Sequence, residues 1–194
     1  VDTTAVALAF RSAGGTREFR FRGYASEMRK SPISGAEHVW WDRSRPIETT
    51  IPLLDDVQPT VTVRPPFAYL IPQEWREVID VLRLHDVKLH RLTEEVTLPV
   101  ESTVFSDTQW RDTPYEGRFT VSTQQHSRID TMTFPEGTYV VNMAQASARA
   151  ALHLLEPQGP DSFVYWGFFN AVFERKEYFE DYVMADIALE MYES

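Results

Sequence analysis

The segment Phe67-Ala-Tyr-Leu-Ile-Pro-Gln-Glu-Trp-Arg-Glu-Val-Ile-Asp-Val-Leu-Arg-Leu-His85 determines the local architecture of the chain. Its first five residues predict a short apolar strand, and Pro72 ends that strand. Apolar residues then follow at i, i+3, i+4 and i+7, the spacing of one helical face: Trp75, Val78, Ile79 and Leu82. A second strand carries Val87, Leu89 and Leu92. Residues 67–92 therefore predict a compact βαβ unit with a right-handed crossover.

The stretch before this unit, residues 1–66, carries strand signals. Apolar residues alternate in two runs there: Val6, Leu8 and Phe10, then Phe19 and Phe21. Such alternation predicts half-buried antiparallel strands. Gly14-Gly15 lies between the two runs and predicts a hairpin connection. The β-branched residues between Pro59 and Pro65 predict an edge strand or a strand end.

Further antiparallel strands and then helices are expected after the βαβ unit. We predict strands at 96–105, 117–126, 128–134 and 138–142, with a turn at 135–137. An alanine- and leucine-rich run at 146–155 predicts a helix that stops before Pro157. A spacing of four predicts a last helix with one apolar stripe: Phe179, Val183, Ile187 and Met191.

These patterns together predict an α+β fold. We expect a mainly antiparallel β-sandwich or sheet with the small βαβ unit and C-terminal helices. The chain is interpreted as one domain over 1–194, with a strand-rich part at 1–66, a mixed part at 67–142 and a helical part at 145–194.

Composition excludes several classes of protein. With 43% hydrophobic and 13% aromatic residues in 194, the chain can bury a core and is not intrinsically disordered. No apolar run approaches the ~20 residues that a membrane-spanning helix needs. A net charge of −10 argues against binding to nucleic acid, which requires clustered basic residues. The absence of cysteine excludes disulfides, thiol nucleophiles and zinc–thiolate sites.

Two further features of the sequence guide the interpretation. Residues 150–194 hold nine acids and two bases, so seven of the ten net negative charges lie there. The chain opens at Val1 and its first methionine is Met28. We therefore expect either that a signal peptide was removed or that the domain was cut from a longer protein.

One short motif matches a zinc-binding pattern. His153-Leu-Leu-Glu156 has the H-x-x-E spacing, which places an imidazole and a carboxylate on one face of a helix. A catalytic site needs a third ligand and a base, and the remaining histidines lack a partner spacing: His38, His85, His90 and His126. We therefore interpret His153 and Glu156 as residues at a helix end.

Aromatic residues offer a second candidate site. Trp40 and Trp41, with Tyr24 and Trp110, have the chemistry of a stacking platform for sugars or for aromatic side chains of peptides. Packing in the core or on an edge strand explains the same residues. Because the sequence has no G-x-S-x-G, P-loop or G-x-G-x-x-G motif, a serine hydrolase of that type or a nucleotide-dependent enzyme is unsupported.

Longer blocks of the sequence resemble the C-terminal region of bacterial, exported zinc carboxypeptidases of the M14 family. In chain order they are Phe21-Arg-Gly-Tyr-Ala25, Ser31-Pro-Ile-Ser-Gly-Ala36, Asp42-Arg-Ser-Arg-Pro46, Ala68-Tyr-Leu-Ile-Pro72, Leu82-Arg-Leu-His85, His153-Leu-Leu-Glu-Pro157, Asp161-Ser-Phe-Val-Tyr-Trp-Gly-Phe-Phe-Asn170 and Glu180-Asp-Tyr-Val-Met184. The blocks cover nearly the whole chain, and none of them is the catalytic signature of the family.

The resemblance implies a catalytic domain that this chain does not contain. In the family, that preceding domain holds zinc through H-x-x-E and a distant second histidine, and it uses a glutamate base. The expected partners are therefore an N-terminal peptidase domain of the same polypeptide and the peptide substrate of the parent enzyme. No catalytic residue, metal ligand or cofactor is expected in this chain, and zinc is expected in the absent domain.

We accordingly expect a non-catalytic accessory domain that stabilises or borders the peptidase domain of an exported enzyme. The acidic, aromatic C-terminal segment is the predicted interface with that domain. Two other hypotheses stay open. The first is an independent module that binds glycans or peptides through Trp40, Trp41 or Trp110. The second is a stand-alone metalloenzyme, which requires His153 and Glu156 to converge with a further ligand.

Overall fold

The computed structural model describes residues 4–174 and 181–193, and strands account for 47% of the structure. Its elements in chain order are β1 (Val6–Ser12), β2 (Arg17–Lys30), β3 (Glu37–Leu53), β4 (Val57–Val63), β5 (Ala68–Ile71), α1 (Arg76–Leu84), β6 (His90–Arg91), β7 (Val96–Trp110), β8 (Val121–Phe134), β9 (Tyr139–Asn142), α2 (Ala148–Leu155), α3 (Asn170–Phe173) and α4 (Asp181–Glu193).

Antiparallel sheets with a few short helices make up this structure, which confirms the predicted α+β class. The strands form a three-stranded sheet in the order β5-β9-β6 and three two-stranded sheets, β1-β4, β2-β3 and β7-β8. The pairs β2-β3 and β7-β8 are long antiparallel ribbons.

The chain divides into two compact units. One contains residues 1–8 and 61–194, and the other contains residues 9–60. The strands β1 and β4, which pair with each other, both cross this division. The interpretation of residues 1–194 as a single domain stays a prediction.

The buried core lies in the first unit. Its helix α1 contributes Val78, Ile79 and Leu82, each at most 2% exposed, as the helical spacing predicts. Helix α2 packs Ala151 and Leu152 into the same cluster, and Val141 of β9 is fully buried there. Both predicted helices, α1 and α2, are thus present. Each buries one apolar face, and this burial stabilises a short helix.

The βαβ prediction has the right order of elements and an unexpected sheet partner. Strands β5 and β6 both pair antiparallel with β9, which lies between them. They are consequently parallel to each other without being neighbours. The second strand is only two residues long, and Val87 is buried in the core before this strand begins.

Three local predictions differ from the structure. The predicted hairpin at Gly14-Gly15 was wrong, because β1 pairs with β4 and β2 pairs with β3. The strands expected at 117–126 and 128–134 are one strand, β8, whose residues pair with β7 from Val121 to Phe134. The strand that carries Phe19 and Phe21 was predicted to be half-buried, whereas β2 has no buried residue, and these two side chains are 40% and 42% exposed.

The C-terminal part combines buried aromatic rings with an exposed helix. Phe163 is 1% exposed, and its ring meets that of Phe168 edge-on at 4.9 Å. The predicted last helix is α4, whose apolar residues Ile187 and Met191 are exposed. Phe179 of the predicted stripe lies outside the described residues. Within those residues, no helix has the length and hydropathy to cross a membrane.

Candidate functional site

The two residues of the H-x-x-E motif, His153 and Glu156, lie in different environments. Glu156 follows the last residue of α2, and its carboxylate accepts a hydrogen bond from the Tyr69 hydroxyl of β5. Burial raises the pKa of Glu156; the Tyr69 hydrogen bond opposes this shift, and the negative charge of Glu101 adds to it. Burial and the same hydrogen bond raise the pKa of Tyr69 as well. His153, by contrast, lines a cavity of which Glu156 is not a part.

The described residues do not fit a metal centre. Over 4–174 and 181–193, no group of three or more His, Asp or Glu side chains lies close enough together to hold a metal ion. His153 and Glu156 therefore do not converge with a third ligand there. The geometry gives the stand-alone metalloenzyme hypothesis no site within this part of the chain.

The cavity beside His153 is an aromatic-walled depression of about 400 Å³ in the first unit. It is lined by the end of α1, one side of α2 and the turn-rich segment after α2: Val81, His85, Ala150, His153, Leu154, Asp161, Phe163, Trp166 and Phe168. Five of these nine residues are purely apolar, and four carry polar groups: His85, His153, Asp161 and Trp166. Its volume falls within the range of ordinary ligand-binding pockets.

The ribbon β2-β3 presents a second candidate surface. Phe19 pairs with Ile51, Phe21 with Thr49, and Gly23 with Ile47. Residues paired across strands share a face, as do residues two apart along one strand. These three pairs therefore form one continuous face, which we call the apolar ribbon face. Its four large side chains are exposed: Phe19 40%, Phe21 42%, Ile47 41% and Ile51 36%.

Gly23 allows the ring of Phe21 to lie flat on the apolar ribbon face. A Cβ atom at position 23 would lie 2.6 Å from Cε1 of Phe21, which is closer than van der Waals contact permits. The ring covers the position that a side chain would otherwise occupy, as aromatic residues do beside strand glycines. This explains how a glycine is accommodated within β2, two residues after Phe21.

Charged residues occupy the opposite face of the ribbon. Arg20 and Arg22 both pair with the carboxylate of Glu48, and the Nε–Oε2 distance from Arg22 is 3.1 Å. Between Phe19 and Gly23 the ribbon is thus amphipathic, with ions on one side and apolar side chains on the other; the ion pair of Arg17 with Asp55 lies at the end of the apolar ribbon face. Among the described residues from 9 to 60, none is buried.

The structure separates the predicted aromatic platform. Trp40 and Trp41 are consecutive in β3, so they project from opposite faces of the ribbon. The Arg29 guanidinium lies 3.2 Å from the ring centroid of Trp40, whereas Trp41 is 60% exposed. Trp110 belongs to the other unit, where its ring packs edge-on against Phe173 and its Nε1 donates to Asn170.

The predicted C-terminal interface has an exposed apolar helix and a packed aromatic part. Helix α4 exposes Met184, Leu189 and Met191. Before it, Phe169 packs edge-on against Trp75 of the first unit, with centroids 4.6 Å apart. The predicted segment therefore contains both core residues and an exposed helix, and the sequence did not predict the apolar ribbon face as an interface. The alternation of Phe19 and Phe21 was the available signal for that face.

Comparison with known proteins identifies relatives of part of the chain. The chain is 31% identical over 110 residues to carboxypeptidase 2 of Trichophyton rubrum and, equally, to carboxypeptidase 2 of Trichophyton tonsurans. In both cases the match covers 57% of this chain and 20% of the relative. The chain thus spans about a fifth of the length of the curated relatives that it matches.

The comparisons support a carboxypeptidase-related region and nothing finer. The relatives are fungal, whereas the resemblance in the sequence pointed to bacterial enzymes. No family model matches the chain, and no solved structure matches it.

Proposed function

We propose that this chain is a non-catalytic accessory region of an M14-type zinc carboxypeptidase, in which it stabilises or borders the catalytic domain. The parent enzyme hydrolyses C-terminal residues of peptides and is exported to the periplasm or the extracellular medium. Zinc is proposed only for the catalytic domain, because the described residues of this chain do not fit a metal site.

The observation that carries this proposal is the apolar ribbon face. A two-stranded ribbon on its own is at best marginally stable in water, and the unit at 9–60 has no buried residue among those described. Burying the remaining 36–42% of four large apolar side chains against another domain adds stabilisation, at about 0.6–1.2 kcal/mol for each side chain. The length of the relatives, about five times the matched stretch, provides such a domain.

The placement of charged side chains around the apolar ribbon face supports its role as an interface. The apolar ribbon face contains Thr49 at its centre, and the Arg20–Glu48–Arg22 ion pairs lie on the reverse side. An apolar centre with charges kept away from it is typical of an interface between proteins or domains. The charges on the reverse face also keep that side in water.

Adjacent threonines provide a matched test of the proposal. Thr49 lies on the apolar ribbon face opposite Phe21, and Thr50 lies on the charged face opposite Arg20. Both are exposed in this chain. In the complete carboxypeptidase that contains this sequence, T49D places a carboxylate inside the interface, at a cost of at least about 2 kcal/mol. T50D adds the same charge beside Arg20.

We expect T49D to lower the melting temperature of the complete enzyme and T50D to leave it close to the original value. Release of a C-terminal amino acid from an N-blocked peptide, measured at the same temperature, separates the two roles. Altered stability alone indicates support of the catalytic domain, and altered peptide selectivity indicates a position beside its cleft. Equal melting temperatures for T49D and T50D would overturn docking through this face. Zinc-dependent hydrolysis by the 194-residue chain alone would overturn the non-catalytic role.

A second candidate function rests on Tyr24 and Trp41. Tyr24 lies two residues before Ser26, which pairs with Trp41, and both aromatic side chains are exposed, at 46% and 60%. Exposed aromatic rings suit stacking on a sugar. Binding of the chain to a glycan array that W41A abolishes would favour this function over the accessory role.

A further inference from the structure

The cavity beside His153 has polar groups that select one kind of ligand. Asp161 is exposed at its rim, and no cationic side chain within 4–174 and 181–193 pairs with its carboxylate. An ionised carboxylate is purely an acceptor of hydrogen bonds. The rim consequently favours a ligand that brings donors and positive charge.

His85 adds a second acceptor to the rim. Its Nδ1 lies 2.9 Å from the carbonyl oxygen of Val81, and a carbonyl only accepts, so Nδ1 carries the proton. In the neutral imidazole, Nε2 is then left with its lone pair. Together with the negative charge of Asp161, this acceptor favours an ammonium or guanidinium group over an anion.

The walls of the cavity fit the stem of such a ligand. Leu154, Ala150 and Val81 offer aliphatic surface for methylene groups, and Trp166 and Phe168 offer aromatic rings. Cations bind to aromatic faces; the Arg118 guanidinium already lies 3.6 Å from the ring centroid of Phe168, so Trp166 is the aromatic wall for a cationic ligand. The net charge of −10 attracts cations over longer distances.

We propose that this cavity binds the side chain of a lysine presented by a peptide. The methylene stem lies between the aliphatic and aromatic walls, and the ammonium group lies at the rim, where Asp161 and His85 Nε2 accept its hydrogen bonds. The proposal does not depend on the accessory role. Every residue that lines the cavity belongs to the first unit, and none belongs to the apolar ribbon face.

The test is a titration of the 194-residue chain with Nα-acetyl-lysine N-methylamide, followed by NMR. The norleucine analogue keeps the aliphatic stem and removes the charge, and pentylamine keeps the charged stem and removes the peptide groups. Asp161→Asn is the site variant. Asp112→Asn is its matched control, because Asp112 is an exposed aspartate that does not line the cavity.

We expect the lysine probe to bind more tightly than the norleucine probe and at least as tightly as pentylamine. D161N should weaken the binding of the lysine probe by about fivefold, the factor that one partly exposed ion pair supplies, while D112N leaves it unchanged. Thermal melts of both variants establish that each is folded. Equal binding of the lysine and norleucine probes, tighter binding of pentylamine, or equal affinities of D161N and D112N would overturn the proposal.

Discussion

The Tyr69 hydroxyl donates a hydrogen bond to the carboxylate of Glu156 across 87 positions of sequence. This bond joins the first strand of the three-stranded sheet to the end of α2. Both side chains are partly buried, so the bond satisfies a carboxylate that has lost much of its water. It also explains why Glu156 is absent from the cavity that His153 lines.

Removing the Tyr69 hydroxyl should destabilise the chain. Tyr69→Phe keeps the ring and leaves the Glu156 carboxylate without its donor, which costs about 1–3 kcal/mol in the free energy of unfolding. Tyr115→Phe is the control, because Tyr115 is 48% exposed and no hydrogen bond of its hydroxyl is recorded among the described residues. Urea denaturation measures the free energy of unfolding of both variants. A loss for Y69F no larger than that for Y115F would contradict the structural role of the bond.

The raised pKa of Glu156 predicts a pH dependence of stability. Burial raises the pKa of this carboxyl above its ordinary value, so the folded chain holds the proton at a pH where the unfolded chain has released it. The contribution is fully present below the unfolded pKa and is lost as the pH rises through the folded pKa. Glu156→Gln removes this titration while keeping an oxygen that accepts from Tyr69.

Denaturation of the original chain and of E156Q between pH 4 and pH 8 checks this prediction. We expect the free energy of unfolding of E156Q, relative to that of the original chain, to increase as the pH rises. A difference that is constant with pH, or that decreases, would show that the folded pKa of Glu156 is not raised. Glu101→Gln should lower the pKa of Glu156, because the Glu101 charge contributes to its shift.

Gly167 has a backbone conformation and a close contact that exclude a side chain. Its φ is +72°, and a Cβ atom there would lie 2.7 Å from the carbonyl oxygen of Phe119. Gly117 has a φ of +80° and nothing within 4 Å of such an atom. Gly167→Ala should therefore cost about 1–3 kcal/mol more than Gly117→Ala, since only the former forces the backbone apart. Equal melting temperatures of the two variants would contradict this packing.

Patterns in the sequence predicted those elements, such as α1, that depend on residues close together in the chain. The spacing of Val78, Ile79 and Leu82 located α1 because a helix buries residues three and four apart. The pairing of β1 with β4 was not accessible in that way, since their partners lie about 50 residues apart. The Gly14-Gly15 turn was a local signal, and the long-range pairing overrode it.

The candidate sites show the same limit. The spacing of His153 and Glu156 is a local fact, but Tyr69 recruits Glu156 from a distant strand. The cavity combines His85 after α1 with Asp161 after α2, a proximity that only the packing of the two helices creates. For the ribbon, the alternation predicted one apolar face correctly, and it does not reveal what covers that face.

Hydrogen–deuterium exchange of the β2-β3 amides tests the central claim, docking through the apolar ribbon face, most directly. The comparison is between the 194-residue chain and the proposed longer protein that contains it, with the buried segment from β5 to α1 as the internal reference. We predict that residues 17–53 exchange rapidly in the chain alone and slowly in the longer protein, while residues 68–84 are protected in both. Equal exchange of residues 17–53 in the two proteins would contradict docking through the apolar ribbon face.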